Sequence, residues 1–390
     1  MPKPSDLANT WNTIKEVDLR PLRQQAVNGV RIAIVGVPGS GRKTLASQMR
    51  SDPAKPENMS DAPVLVLDLE NAAQAGAADL IILIIDAGSQ DTSQEQALAQ
   101  LWANAGKRVL VFINQFEEPE GGSAIVGWAN WSRRRIVHGS ALDDAFLISR
   151  FAPAVIDLLP GLLIGLARHF PLFRVPAAHS LINDTCLSNA AYSLSTGMAE
   201  IVPIFDVPMN VTDMFVLTKT QAYLVYKLGL AFGFSTQWQD YVAEFGSVLG
   251  SGFVWRQIAR SLIGLIPVYG IIPKVGVAYA GTYVVGNAIL QWYLTGRHIS
   301  ARQMRDLYRQ AFERGRETAR KLLEKAPHPR WRKFSLPRLP KIALPRLPQR
   351  KARPALPAPQ AVKVCPVCSK TSAADAAFCQ YCGAGLADGL

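Results

Sequence analysis

Between residues 30 and 138 the chain repeats one pattern: a short, mostly apolar run, then a polar or helical stretch. The runs are 30–35 (VRIAIV), 64–69 (VLVLDL), 80–85 (LIILII), 109–113 (VLVFI) and 135–138 (RIVH). Each is too short for a buried helix, and the longest are apolar on both faces. A strand covered on both sides reads this way. Segments 44–50, 94–105 and 145–159 have helical character. Strands alternating with helices predict a parallel sheet with both faces covered.

The first run leads into a glycine-rich turn, Gly36 to Gly41, and then Arg42, Lys43 and Thr44 open a helix. A strand, a glycine-rich loop and a helix are the context of a phosphate-binding loop, whose backbone N–H groups face phosphate oxygens. The usual pattern is G-x4-G-K-[ST]. Here Arg42 stands at the lysine position and Lys43 at the hydroxyl position. Arginine still pairs with phosphate through a larger fork. A lysine where magnesium needs a hydroxyl ligand argues against Mg2+. A one-residue insertion would return Lys43 and Thr44 to their roles, but the register of Leu45 and Ala46 favours substitution. The stretch 78–114 (ADLIILIIDAGSQDTSQEQALAQLWANAGKRVLVFIN) resembles the central region of Era-like and TrmE-like small GTPases, and the resemblance covers roughly 30–167. It implies GTP or GDP as ligand. By it Gly36, Gly39, Ser40, Gly41, Arg42, Lys43 and Thr44 would hold phosphates, and Asp68 would stand on the magnesium side. Asn71 replaces the glycine of that motif. Asn114 and Glu117 would read guanine, with Gln115 in place of the usual lysine, and Ser140-Ala141 matches the last motif. Only residues 51–63 separate the first helix from the next strand, which is short for a switch loop plus a strand. The parts that phosphoryl transfer depends on are the altered ones, so binding without efficient hydrolysis is expected.

From about residue 162 the pattern changes to long apolar helical stretches. Two breaks resemble each other, 201–208 (IVPIFDVP) and 265–273 (LIPVYGIIP), hinting at a duplicated helical hairpin. Residues 275–296 (VGVAYAGTYVVGNAILQWYLTG) carry no charge and are about long enough to span a bilayer. Gly276 and Ala280 permit close helix approach. A buried helix in a bundle is the competing reading, which Asn287 and Gln291 favour. The segments 201–233 and 266–293 resemble the domain of unknown function 697, also seen in YcjF-like proteins. That family pairs such helices with Era-like domains and is usually described as membrane-associated, which implies membrane lipid as a partner.

Residues 300–325 form a charged helix whose Met304, Leu307, Tyr308, Ala311 and Phe312 fall on one stripe. Residues 326–363 hold ten Lys or Arg, no acid and nine prolines, including the repeat LPRLP at 336–340 and 344–348. Such a segment is an extended spacer. Its charge suits anionic lipid heads; nucleic acid is the weaker partner, because no ordered aromatic platform accompanies it. Most of the formal net charge of +12 sits here.

The chain closes on Cys365-x2-Cys368 and Cys379-x2-Cys382, ten residues apart. Two knuckles of this spacing complete a tetrahedral thiolate shell for Zn2+, and four thiolates leave no open position, so the site is structural. The segment resembles small bacterial zinc ribbons, which implies a protein contact. Residues 1–20 are polar, without the apolar core of a signal peptide, and thiols kept for metal point to a reducing cytoplasm.

The expected architecture is an N-terminal helical segment (1–29) and an α/β P-loop GTPase-like parallel-sheet domain (30–167). An all-α apolar hairpin or bundle domain (168–300), a charged helix (301–325), a basic linker (326–363) and a zinc ribbon (364–390) follow. The expected function is a guanine-nucleotide-binding scaffold or regulator at the cytoplasmic face of the membrane. An active GTP-hydrolysing enzyme and a soluble, non-catalytic interaction protein are the alternatives.

Overall fold

A computed structural model describes residues 18–115, 128, 131, 135–199, 211–237, 271–297, 299–325, 362–364, 369 and 371–373. The chain divides into two units, Met1–Pro327 and His328–Leu390. In the first unit α1 (Arg20–Val27) precedes β1 (Ile32–Val35), and the glycine-rich loop leads to α2 (Arg42–Arg50). Residues 51–59, with no room for a switch loop plus a sheet strand, form a small antiparallel hairpin off the sheet, β2 (Ser51–Asp52) and β3 (Lys55–Met59). Then come β4 (Val64–Leu67), a 3-10 turn (Leu69–Ala77), β5 (Leu80–Asp86), α3 (Ser93–Asn104), β6 (Val109–Asn114) and β7 (Ile136–Gly139).

Five of these strands form one parallel sheet in the order β4-β1-β5-β6-β7. Alternation along each strand divides its side chains between two cores. Ile32, Ile34, Ile82, Ile84, Leu110 and Phe112 face one side, where Leu45, Met49, Phe151 and Val155 cover them. Ala33, Val35, Ile81, Leu83, Val111 and Ile113 face the other, covered by Ala72, Ala99 and Trp102. The strand order reverses at β1: the chain steps to β4 on one side, then crosses to β5 on the other. Open α/β sheets bind ligands outside the carboxyl ends of the strands at such a reversal.

A helix over 144–158, α4, follows the sheet. Its middle, Leu147–Phe151, has π geometry. Pro153 accounts for this, since it donates no N–H to the preceding turn. Next are α5 (Leu163–His169), α6 (Arg174–Ala199), α7 (Val211–Ala231), α8 (Ile271–Thr295) and α9 (Ala301–Lys325). Arg168 donates to the carbonyls of Leu230 at 3.1 Å and Phe234 at 2.8 Å, satisfying the end of α7. The sheet and the helices share one buried cluster. Phe112 meets Phe151 at 5.6 Å between ring centroids, Phe151 meets Phe173 at 6.2 Å, and the cluster continues through Ile182 and Val284 to Tyr308 and Ala319.

The candidate membrane span over 275–296 requires correction. No described helix is long and apolar enough to cross a membrane. The segment is instead a central helix of the bundle, packed on α6 and α9. Asn189 on α6 donates from Nδ2 to Thr282 Oγ1 at 2.8 Å, a buried polar pair that ties the two helices. On the α9 side the backbones nearly touch: a Cβ on Gly315 would lie 2.9 Å from Gly276 Cα. The expected stripe of α9 is confirmed, with Met304, Tyr308 and Ala311 buried and Leu307 and Phe312 packed against them. The charged residues of α9 stay outside, so a helix of polar composition still buries an apolar partner. The two resembling breaks, most of 201–208 and 265–273, lie outside the described residues, as do residues 1–17 and 326–361.

In the second unit β8 (Val362–Val364) pairs antiparallel with β9 (Thr371–Ala373). Cys365, Cys368, Cys379 and Cys382 lie outside the described residues.

Candidate nucleotide site

The carboxyl end of β1 sits at the reversal of the sheet, and the loop 36–41 leaves from it. Gly36 is buried, and its N–H donates to the Leu67 carbonyl at 3.3 Å. A side chain there would strike the carbonyl of Ile84, so only glycine passes. Gly39 and Gly41 have φ of +87° and +96°, the left-handed region that admits glycine at little cost. Gly41 is the N-cap of α2 and supplies no side chain to cap it. The first N–H groups of a helix have no partner within it, and the helix dipole is positive there. This first turn holds no acid and two cations, Arg42 and Lys43. Positive charge at the positive end of a helix is unfavourable, and a bound anion would relieve it.

The two cations differ in placement. Lys43 is exposed. Arg42 is 11% exposed and folds back over the end of β4. Its guanidinium donates to the Leu67 carbonyl at 2.5 Å and lies 2.6 Å from Asp68 Oδ1. No donor is aligned on that carboxylate oxygen, so the contact is a charge pair rather than a directed hydrogen bond. Asp68 is half-exposed and N-caps the following 3-10 turn in position, not through its side chain. Thr44 is half-buried beside them. Ser40 is 1% exposed, and its Oγ has no hydrogen-bond partner.

Asn114 ends β6 and ties the remaining pieces together. It is fully buried. Its Nδ2 donates to the Ser40 carbonyl at 2.9 Å, and its Oδ1 accepts from the Ala141 N–H at 2.8 Å. One amide therefore bridges the glycine-rich loop and the turn after β7. Its backbone adds a third link, since the Asn114 carbonyl accepts from the Ala87 N–H at 3.0 Å, at the end of β5. Ser140 Oγ accepts from the Leu142 N–H at 3.2 Å and shapes the same turn. Thus the fold gathers Gly36, Gly39, Ser40, Gly41, Arg42, Lys43, Thr44, Asp68, Asn114, Ser140 and Ala141 at one end of the sheet. Glu117 lies outside the described residues. Sequence reasoning missed the Leu67 carbonyl as the anchor of Arg42. The only available signal was its place one residue before Asp68.

Lys43 stands where the usual loop pattern has a hydroxyl, and Asp68, the carboxylate that the resemblance puts on the magnesium side, is paired with Arg42. Among the described residues no group of three or more His, Cys, Asp or Glu side chains is arranged to hold a metal ion. Comparison with known protein families and with curated proteins finds no match.

Proposed function

We propose that this chain binds a guanine nucleotide at the loop 36–44, without magnesium-dependent hydrolysis, and serves as a regulator or scaffold at a membrane surface. The Arg42–Asp68 pair carries this reading. It puts a fixed cation beside a glycine-rich phosphate cradle, where an active enzyme needs a metal. The cradle itself retains what phosphate binding asks for: left-handed glycines, an uncapped helix N-terminus and local positive charge. Guanine over adenine rests on Asn114 and Ser140-Ala141 together with the Era-like resemblance. In this scheme Arg42 and the loop N–H groups hold phosphate oxygens, Asn114 fixes the loop, and Lys43 adds charge from the rim.

Calorimetric titration of the full chain with GDP, GTP and ATP, each with Mg2+ and with a chelator, tests the proposal. GDP and GTP should bind ahead of ATP, with affinities indifferent to the metal. Magnesium-dependent turnover would overturn the pseudo-enzyme, and failure of every nucleotide to bind would overturn the site.

Membrane contact in this reading is peripheral, through the basic segment 326–363 on anionic headgroups. Sedimentation with anionic vesicles, and its loss at high salt, checks it. The ribbon reading, with Zn2+ held by Cys365, Cys368, Cys379 and Cys382 for protein contact, draws support from the β8–β9 pairing. Val364 opposes Thr371, and Cys365 and Cys368 fall between them in sequence. Ser369 follows the second cysteine with φ of 57°, the tight left-handed turn that a knuckle requires.

A further inference from the structure

Between α6 and α7 lies a cavity of about 370 Å³, apolar over much of its wall but edged by charged and polar side chains, that plays no part in the nucleotide site. That volume falls in the range of about 300–1,000 Å³ that holds small ligands. On α7 the spacing of Lys219, Tyr223 and Lys227 by four residues lines them along one face. Asp184 and Thr185 of α6 stand across from them. No carboxylate among the described residues pairs with either lysine. Both lysines are half-buried. Lys227 Nζ lies 5.0 Å from the centre of the Tyr223 ring, and burial holds its ammonium below the ordinary lysine range, against a weaker opposing pull from Asp184. The cation–π contact offsets part of the cost of enclosing that charge; an anion would offset the rest.

The hydroxyls differ from the lysines in character. On α6, Thr185 gives its hydroxyl proton to the Leu181 carbonyl at 2.7 Å, and on α7, beside Lys219, Thr220 gives its own to the Leu217 carbonyl at 2.9 Å. Both hydroxyls therefore turn only lone pairs to the cavity. On α6, Thr185 and the exposed carboxylate of Asp184 make an acceptor edge across from the two ammonium donors of α7.

We infer that this cavity binds a small phosphate ester carrying a hydroxyl or ammonium group. Its phosphate sits between Lys219 and Lys227, and its donor group meets Asp184 and Thr185. Lysine suits phosphate as a point charge. The same chemistry comes from a soluble phosphate ester or from a lipid headgroup, and the inference stands apart from the nucleotide reading.

Lysine acylation of the full chain, read peptide by peptide by mass spectrometry, tests it with three probes. These are inorganic phosphate, phosphoethanolamine, and phosphatidylcholine vesicles with or without phosphatidic acid. Lys43 of the phosphate loop and the exposed Lys321 report on other binding and on general screening. Acylation of both Lys219 and Lys227 should fall by about tenfold at saturation, corresponding to about 1.4 kcal/mol, with Lys321 unchanged. Protection by the soluble probes assigns a soluble ligand; protection only by phosphatidic acid vesicles assigns a headgroup. In parallel, Lys219→Met with Lys227→Met should abolish binding of the protecting probe, while Lys227→Arg retains it. Protection of neither lysine, of Lys43 alone, or of Lys321 equally would overturn the inference. The wild-type footprint decides it even if the double variant fails to fold.

Discussion

Replacing Gly315 by alanine sets two well-known effects against each other. Helix propensity favours alanine over glycine by about 1 kcal/mol in a helix interior. Packing opposes it. A Cβ on Gly315 would lie 2.8 Å from Tyr279 Cβ, 2.9 Å from Gly276 Cα and 3.1 Å from Gly276 O. Two of these atoms are backbone and the third moves only with it, so no rotamer change relieves the contact. To reach ordinary separation α8 and α9 must part by several tenths of an ångström, over a face that buries Tyr308, Ala311 and Ala319. Overpacking of this kind costs about 1–3 kcal/mol. Rigid backbone neighbours place Gly315 in the upper part of that range, for a net loss of about 1–2 kcal/mol. Gly281 on α8 is the control: the nearest atom to its added Cβ is Gln221 Nε2 at 3.8 Å, an ordinary contact. Gly281→Ala should therefore gain up to about 1 kcal/mol. Urea unfolding of the full chain by far-UV circular dichroism reads both as midpoint shifts at constant slope. Opposite signs support the packing described for α8. Equal stabilisation by both substitutions would refute it and reopen the question of what covers this uncharged helix.

Three further outcomes follow from the same structure. Asn114→Ala should cost about 2–4 kcal/mol in urea unfolding, because it orphans the buried Ser40 carbonyl and Ala141 N–H at once; a loss below about 0.5 kcal/mol would show that the amide does not link the loops. Burial pushes Cys186 up to about 12 from 9.0 and Tyr308 up to about 12 from 10.0. Both groups are raised in the folded state, so their stabilisation is complete below about pH 9 and is lost as pH rises toward about 12. Urea midpoints should fall across that window, less steeply in Cys186→Ala, and native Cys186 should resist thiol reagents until the chain unfolds. Cys365→Ser should release zinc, followed with a metal-sensitive dye, and leave nucleotide affinity unchanged; joint loss of both would overturn the picture of a tethered ribbon.

The sheet was legible because strands buried on both faces have nothing but apolar residues to show. Each of the five runs became a strand: β4 stops short at Asp68, whereas β5 and β6 run one residue past the apolar stretch, to Asp86 and Asn114. The hairpin 51–59 was not legible: Lys55–Met59 is exposed throughout and contains Pro56, so it carries neither alternation nor β-branched residues. The Arg42–Asp68 pair joins residues from two elements and leaves no mark in either local pattern. The 275–296 segment misled for a physical reason. Length and lack of charge point to a span, while Gly276 and Gly286, which lower its hydropathy, let Phe312 of α9 and Ile182 of α6 come close, and Thr282 takes a hydrogen bond from α6. Its partner α9 is charged in composition, and the narrow stripe that covers α8 is easily read as the inner face of an isolated surface helix.

The buried cluster running from Phe112 through Phe151 and Phe173 into the bundle makes the sheet and the helices one cooperative body. Cutting the chain near residue 167 would not free a module; it would strip the cover from Phe151 and leave Phe170 and Phe173 without a floor. Such a body cannot be assembled by shuffling a sheet domain onto unrelated helices, because each half completes the other's interior. The joint also constrains signalling. A ligand that shifts α4, whose π turn lies directly against Phe112 and Phe173, must either carry the bundle with it or lose packing density.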